Sequence, residues 1–317
     1  MKLVFCGTPR FAVPTLEALI GAGHEIALVV SQPDRPVGRA QEMMAPPVKQ
    51  NAIAAGLRVT QPDKIRTNEE FRARLEAIAP DAIVVVAYGR IIPPWMLALP
   101  RLGCINLHAS LLPRYRGAAP IQWAIAMGES ATGNTTMLLD EGLDTGPVLI
   151  QQALAIGAEQ TAPELFEELA TGGAPLVVET LARMDEGSLE PRPQDHSRAT
   201  LAPILKREDG LMDFGARTAT ELKNRWRGFQ PWPGAFTFWN GKKLIVHRIE
   251  VAGALDIPDQ TLEPGSVIVK NDRMMAACAR GTWIELIEVQ LEGKKRMAAG
   301  EFLRGLQPAA HAALRLG

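Results

Sequence analysis

Cysteine is scarce in this chain, and its placement excludes more than its scarcity does. Cys6, Cys104 and Cys278 are the three cysteines among 317 residues. They are odd in number, far apart and without Cys-x-x-Cys spacing, which argues against a disulfide framework and a zinc site and fits a reducing cytoplasm. Cys6 and Cys104 lie inside apolar, strand-like runs and read as buried thiols. The histidines (His24, His108, His196, His247, His311) never fall at metal-ligand spacing, so no metal is expected. No apolar run approaches the roughly 20 residues that span a bilayer, so no membrane association is expected. Met1–Phe5 enters a strand pattern at once, which leaves no room for a signal or transit peptide and points to the cytoplasm. Gly7 is not part of a Gly-x-Gly-x-x-Gly run, so a dinucleotide site is unsupported. Repeats and low-complexity tracts are absent.

Net charge is also slight, at −1, but unevenly spread. From Lys206 onward there are 17 Lys/Arg against 13 Asp/Glu, a surplus of four, and the preceding residues carry 17 against 22. A mildly basic C-terminal part suits a polyanionic partner, although a solvated surface with a chance excess accounts equally for the same count. Hydrophobic content of 47% and charged content of 22% are ordinary for a soluble globular protein. The length suits two domains on a prior of roughly 100–200 residues each.

Lys2–Cys6, a helical pattern through Thr15, Leu16, Leu19 and Ile20, then Ile26–Ser31 read as a strand–helix–strand unit, the signature of a parallel sheet. Ile83–Ala87 is a continuous apolar run suited to a strand buried on both faces. Cys104–His108 and Thr135–Asp140 follow as strands, with helices expected over Glu69–Ile78, Ile121–Met127 and Thr161–Leu181. Gln32–Pro47 reads as a long polar loop with four prolines, Arg35, Arg39 and Met43-Met44, and loops of that length are usually functional or disordered. Gly187–Ser197 has the Pro/Gly/polar composition of a linker. Beyond it, a helix over Thr218–Trp226 precedes five strand-like runs: Ala235–Trp239, Lys242–Val251, Gly265–Val269, Ala276–Ala279 and Trp283–Glu288. Asn240-Gly241 marks a two-residue hairpin. Five short strands suggest a small β-barrel, a fold that often binds nucleic acid. Trp226, Phe229, Trp232 and Trp239 are candidate stacking platforms, with core packing the better reading for most.

The chemistry-bearing stretch is Asn106-Leu107-His108-Ala109-Ser110-Leu111-Leu112-Pro113, followed some thirty residues on by Gly142-Leu143-Asp144-Thr145-Gly146. On an extended segment Asn106 and His108 point to one face, because strand side chains alternate. An amide, an imidazole and a carboxylate suit acyl transfer through a tetrahedral intermediate. Asn106 can donate to an oxyanion, His108 can stabilise it or move a proton, and Asp144 can fix and charge the imidazole. Each residue alone also has a plain reading, as a satisfied strand-end histidine or a turn-forming aspartate. The continuation Arg114-Tyr115-Arg116-Gly117-Ala118-Ala119-Pro120 looks instead like the wall of a ligand site.

On these motifs, together with Phe5-Cys6-Gly7-Thr8-Pro9, Gln32–Arg39, Val84–Gly89 and Phe229–Gly234, the chain resembles the formyltransferases that use 10-formyltetrahydrofolate, over about residues 2 to 300. Within them it is similar to the branch acting on methionyl-tRNA. Ala109 stands where some relatives carry Gly, and Gln160-Thr161 replaces an acidic-Thr pair at a helix start. The resemblance implies a Rossmann-like, mostly parallel α/β sheet in a catalytic domain over 1–189, a linker over 190–205, and an OB-like, tRNA-binding barrel over 206–317. It implies Asn106, His108 and Asp144 as the catalytic trio and Ser110, Leu111, Leu112 and Pro113 as the folate loop. Arg35, Arg39 and Lys206 become tRNA contacts, though the two loop arginines would serve equally as solvated surface. The donor would be 10-formyltetrahydrofolate without a metal, the acceptor initiator methionyl-tRNA, and no obligate protein partner follows. A glycinamide-ribonucleotide or sugar-nucleotide acceptor, a formyl hydrolase and a non-catalytic binding module are the rival readings.

Overall fold

The computed structural model describes residues 1–38, 41–253, 262–306 and 314–317, so Arg39 lies outside the described residues. Two compact units are distinguished. One comprises Met1–Ile121, Ala131–Ile156 and Glu164–Pro203, the other Gln122–Ser130, Gly157–Pro163 and Ile204–Gly317.

The first elements along the chain are β1 (Lys2–Gly7), α1 (Val13–Gly21), β2 (Glu25–Val30), β3 (Arg35–Val37), β4 (Glu42–Met44), α2 (Pro47–Ala54) and β5 (Val59–Thr60). Next come α3 (Glu69–Ile78), β6 (Ala82–Val86), α4 (Pro94–Leu97), β7 (Cys104–His108), α5 (Pro120–Ala126), β8 (Ala131–Leu138), β9 (Val148–Ala155) and α6 (Ala162–Asp185). Seven strands form one sheet in the order β5-β2-β1-β6-β7-β8-β9. The pairs from β5 to β7 are parallel, and β7/β8 and β8/β9 are antiparallel. The mostly parallel α/β sheet read from the sequence is therefore present. β6 is buried along its whole length, which is why its sequence, Ala-Ile-Val-Val-Val, has no polar alternation. Each fully buried Val or Ile there contributes about 1.5–3 kcal/mol.

Strand order reverses between β1 and β6, and in open parallel sheets such a switch point opens a crevice at the strand C-terminal ends. There the Thr8 hydroxyl donates to Tyr88 O at 3.0 Å, tying the segment after β1 to the segment after β6. α3 shows how local sequence sets an element. The Asn68 side chain accepts the Phe71 N–H at 2.9 Å, Glu69 and Glu70 occupy the positive N-terminal turn, and Ala79 ends the helix in the left-handed region. Gln160-Thr161 does not prevent a helix, since α6 begins at Ala162. The cysteines are all buried, and burial pushes the Cys104 thiol up to about 12 and Cys6 well above its ordinary value.

Three sequence expectations need correction in this unit. Gln32–Pro47 is not simply a loop: β3 and β4 pair antiparallel inside it, Arg35 opposite Met44 and Val37 opposite Glu42. Its root is fastened by Lys49 Nζ, which donates to both Asp34 carboxylate oxygens at 2.8 Å and holds that carboxyl below its usual range. β9 was not anticipated, because Val-Leu-Ile-Gln-Gln-Ala-Leu-Ala has no period-two pattern. Finally, the stretch with linker composition is built into the first unit. Arg192 and Val148 exchange backbone hydrogen bonds at 2.8 Å, and Arg116 bridges Leu201 in parallel.

The second unit contains α7 (Ala219–Gly228), β10 (Ala235–Trp239), β11 (Lys242–Val251), β12 (Val267–Lys270), β13 (Arg273–Ala277), β14 (Trp283–Leu291), β15 (Met297–Ala298) and α8 (Ala299–Arg304). Its strands are antiparallel in the order β10-β11-β14-β13-β12, with β15 on β14. Asn240 and Gly241, both at positive φ, make the turn that joins β10 to β11. The last residues link the two edge strands. Val267 N–H donates to Leu314 O, Leu316 N–H to Gly265 O, and Gly317 N–H to Phe238 O at 3.1 Å. α7 carries a reciprocal cap between Thr218 and Glu221. Phe229 is buried, Trp226 and Trp239 pack against the core, and Trp232 stays more than half exposed, so core packing accounts for all but one of the four aromatics.

Candidate active site

β7 carries the site because it runs from a buried apolar strand into a polar end. Asn106 and His108 leave the same face of it, each less than a tenth exposed. The Asn106 carboxamide has no hydrogen-bond partner among the described residues. Its amide atoms are not among the fully buried unpaired ones, so they keep some solvent access and remain open to a ligand. His108 is held at both ring nitrogens. Its Nε2 lies 2.9 Å from Tyr115 O, and a carbonyl only accepts, so Nε2 carries a proton. Its Nδ1 lies 3.7 Å from Asp144 Oδ2, an ion-pair distance rather than a formed hydrogen bond. Acceptors therefore face both ring nitrogens.

The Asp144 loop is shaped by its own residues. Asp140 Oδ1 accepts the Thr145 hydroxyl at 2.7 Å and the Gly142 N–H at 3.0 Å. A Cβ on Gly146 would stand 1.8 Å from Leu138 O, so only glycine closes the turn. Asp144 itself has φ 52°, a region non-glycine residues enter at some cost. Two contacts hold it there. Gly117 N–H donates to Asp144 Oδ2 at 2.8 Å, and Gln194 Nε2 donates to Asp144 O at 2.9 Å.

The loop after His108 is equally fixed. The Thr135 hydroxyl donates to Ser110 O at 2.6 Å, Leu112 N–H donates to Thr135 Oγ1 at 3.2 Å, and Gln151 Nε2 donates to Leu112 O at 2.9 Å. Ser110 and Leu112 are thus buried and spent on building the loop, whereas Leu111 and Pro113 keep part of their surface. Ser110 Oγ donates to Arg114 O at 2.6 Å. Tyr115 N–H donates to Thr200 Oγ1 at 2.8 Å, which positions the carbonyl that faces His108.

The structure therefore gathers Asn106, His108, Asp144 and the Ser110–Pro113 loop. Arg35 is exposed on β3 in the first unit, and Lys206 is exposed in the second. Sequence reasoning missed Gln194, Arg116, Asp140, Thr135 and Gln151 as supports of the site. Only Arg116 carried a signal, through its loop.

Residues 1–181 match the Formyl transferase family, and residues 204–307 match the Formyl transferase, C-terminal domain. The chain belongs to the Formyl transferase family. A methionyl-tRNA formyltransferase of Acidobacterium capsulatum is 65% identical over 96% of this chain and 96% of that protein. Another, of Koribacter versatilis, is 57% identical over 97% and 96% respectively. Among solved structures, this formyltransferase chain is similar in fold to an N-formyltransferase from Helicobacter canadensis in complex with folinic acid and dTDP-3-aminofucose. That match has a TM-score of 0.63 and 19% identity, and covers 90% of this chain and 98% of the other. A glycinamide ribonucleotide transformylase from Symbiobacterium toebii matches at TM-score 0.51 and 20% identity, over 62% of this chain and 94% of the other.

Proposed function

We infer that this chain transfers the formyl group of 10-formyltetrahydrofolate to the α-amino group of initiator methionyl-tRNA, giving N-formylmethionyl-tRNA. The near-full-length relatives carrying that activity in their names support the substrates. The observation that carries the chemistry is the unspent Asn106 amide on the same strand face as a histidine with acceptors at both nitrogens.

The acceptor amine must be neutral to attack, which its pKa of roughly 7.7–8.0 allows near neutrality. Its lone pair forms a bond to the formyl carbon, and the carbonyl electrons move to oxygen. Asn106 donates to that oxyanion, and the His108 cation lies on the same strand face to offset its charge. The tetrahedral centre then collapses, the bond to N10 breaks, and N10 takes a proton. At 3.7 Å the Nδ1 proton of His108 is not locked to Asp144, so it can pass to N10, and the attacking amine's surplus proton returns to the imidazole so vacated, which restores the cation. Asp144 acts through His108 as a positioning residue. Leu111 and Pro113 offer the part-exposed apolar surface of the folate loop, beside the crevice at the C-terminal ends of β1 and β6. Transfer requires no metal on this route, and it places the enzyme with the translation machinery in the cytoplasm. Arg35 and Lys206, each exposed and without ion pairs among the described residues, serve as phosphate contacts, and Arg39 is assigned the same role from the sequence alone.

The test is direct: incubate the protein with 10-formyltetrahydrofolate and initiator methionyl-tRNA and assay formyl-methionine. Product appears only with both substrates. Formate release without product, or formylation of glycinamide ribonucleotide instead, overturns the reading.

A further inference from the structure

Gln194 lies in a segment whose composition is that of a linker, yet every polar position of its side chain is used inside the site. Its Nε2 donates to Asp144 O at 2.9 Å and to Gly146 O at 2.7 Å. Its Oε1 accepts from Arg116 Nε at 3.1 Å and Arg116 Nη2 at 2.6 Å. Two carbonyls on one side and a guanidinium on the other leave a single orientation of the amide. Gln194 and Arg116 are both less than a tenth exposed, so these bonds form out of water, where losing a partner is costly.

The connections close a ring. The Asp144 carboxylate accepts the Gly117 N–H. Gly117 is covalently joined to Arg116, whose guanidinium binds Gln194, and Gln194 returns to the Asp144 carbonyl. Arg116 is anchored in turn by its backbone, with its N–H donating to Thr200 O at 2.8 Å and its carbonyl accepting Ala202 N–H at 2.7 Å. Asp144 is thereby gripped by side chain and main chain from one rigid strip while it holds a left-handed φ. A single tether would let the loop turn about it and carry the carboxylate away from His108.

We propose that Gln194, braced by Arg116, is a positioning residue for formyl transfer, acting through the 144–146 backbone to aim the Asp144 carboxylate at the His108 imidazole. This rests on the formyl-transfer reading above. The substitution Gln194→Met keeps length and apolar bulk but removes all four hydrogen bonds. Turnover should fall by on the order of 10- to 100-fold, the scale of a misplaced catalytic geometry, with the KM values for folate and tRNA shifting far less. The deciding measurement is a double-mutant cycle. In an Asp144→Asn background, Gln194→Met should cost less than about 3-fold, because the carboxylate it aims is already gone. A merely structural role costs the same factor in both backgrounds. Full additivity in an active parent, or wild-type turnover in folded Gln194→Met, overturns the proposal and leaves the formyl-transfer reading standing.

A second measurement needs no turnover. The ring resonances of His108, assigned by their loss in His108→Asn, should move in Gln194→Met toward their positions in Asp144→Asn. Unchanged His108 resonances overturn the proposal even if the parent protein formylates nothing, an outcome that would separately refute the function.

Discussion

Replacing Asp144 by asparagine keeps the shape of the site and removes its negative charge. The Asp144 and His108 side chains are 15% and 7% exposed, with Nδ1 and Oδ2 3.7 Å apart. Unit charges at about that distance interact by about 4 kcal/mol at an effective dielectric of about 20, which bounds the lost attraction. Oδ2 both accepts the Gly117 N–H and faces Nδ1, so an asparagine that keeps the Gly117 bond presents a neutral amide oxygen to the ring in its place. The variant thus loses the charge attraction while the contact geometry is retained. About 3–4 kcal/mol corresponds to roughly 10²–10³ in turnover at neutral pH. Steady-state turnover at neutral pH, with near-unchanged folate binding and melting temperature as controls, makes the comparison. A folded variant that turns over within a few-fold of the parent would refute the charge argument for Asp144.

Other substitutions test separate parts of the site. Asn106→Ala, which deletes the unspent amide, should lower turnover by on the order of 10²–10³ with folding retained, and turnover within a few-fold of the parent would remove it from the oxyanion site. Gly117→Ala places a Cβ 2.6 Å from Ala202 O at φ +122°, so calorimetry should register a loss of at least about 2 kcal/mol along with the loss of activity. Asn68→Ala should cost about 1 kcal/mol by removing the α3 cap, with kinetics unaltered; an unchanged melting temperature would show the cap is idle. Arg35→Ala and Lys206→Ala should each raise the KM for tRNA and flatten the slope of log affinity against log salt by about one unit, leaving folate binding alone. Unchanged tRNA kinetics at low salt would return either residue to solvated surface.

What was legible in the sequence, and what was not, follows the range of the interactions. α3 was readable to the residue because its cap, its acidic first turn and its apolar face all lie within ten residues of one another. β6 was readable because a strand buried on both faces must be apolar throughout. The Asn106–His108 pair was readable because period two puts both on one face of any strand. β9 was invisible, since its residues take their strand conformation from pairing with β8 rather than from an alternation of their own. The β3–β4 pair was hidden for a similar reason. Its segment contains four prolines, and Met43 and Met44 are both exposed, so no apolar face announces a ribbon. The 187–197 stretch misled most, because proline, glycine and polar residues describe a linker only when their polar groups face water. Here the partners of Gln194 lie 48 to 78 residues away along the chain, and the Arg192–Val148 exchange spans a comparable gap. Composition cannot register partners at that distance. A polar residue among prolines is therefore as consistent with a buried brace as with an exposed tether, and burial decides between them. For Gln194 it decides for the brace, which ties the aim of the Asp144 carboxylate to a segment the sequence alone assigns to no domain.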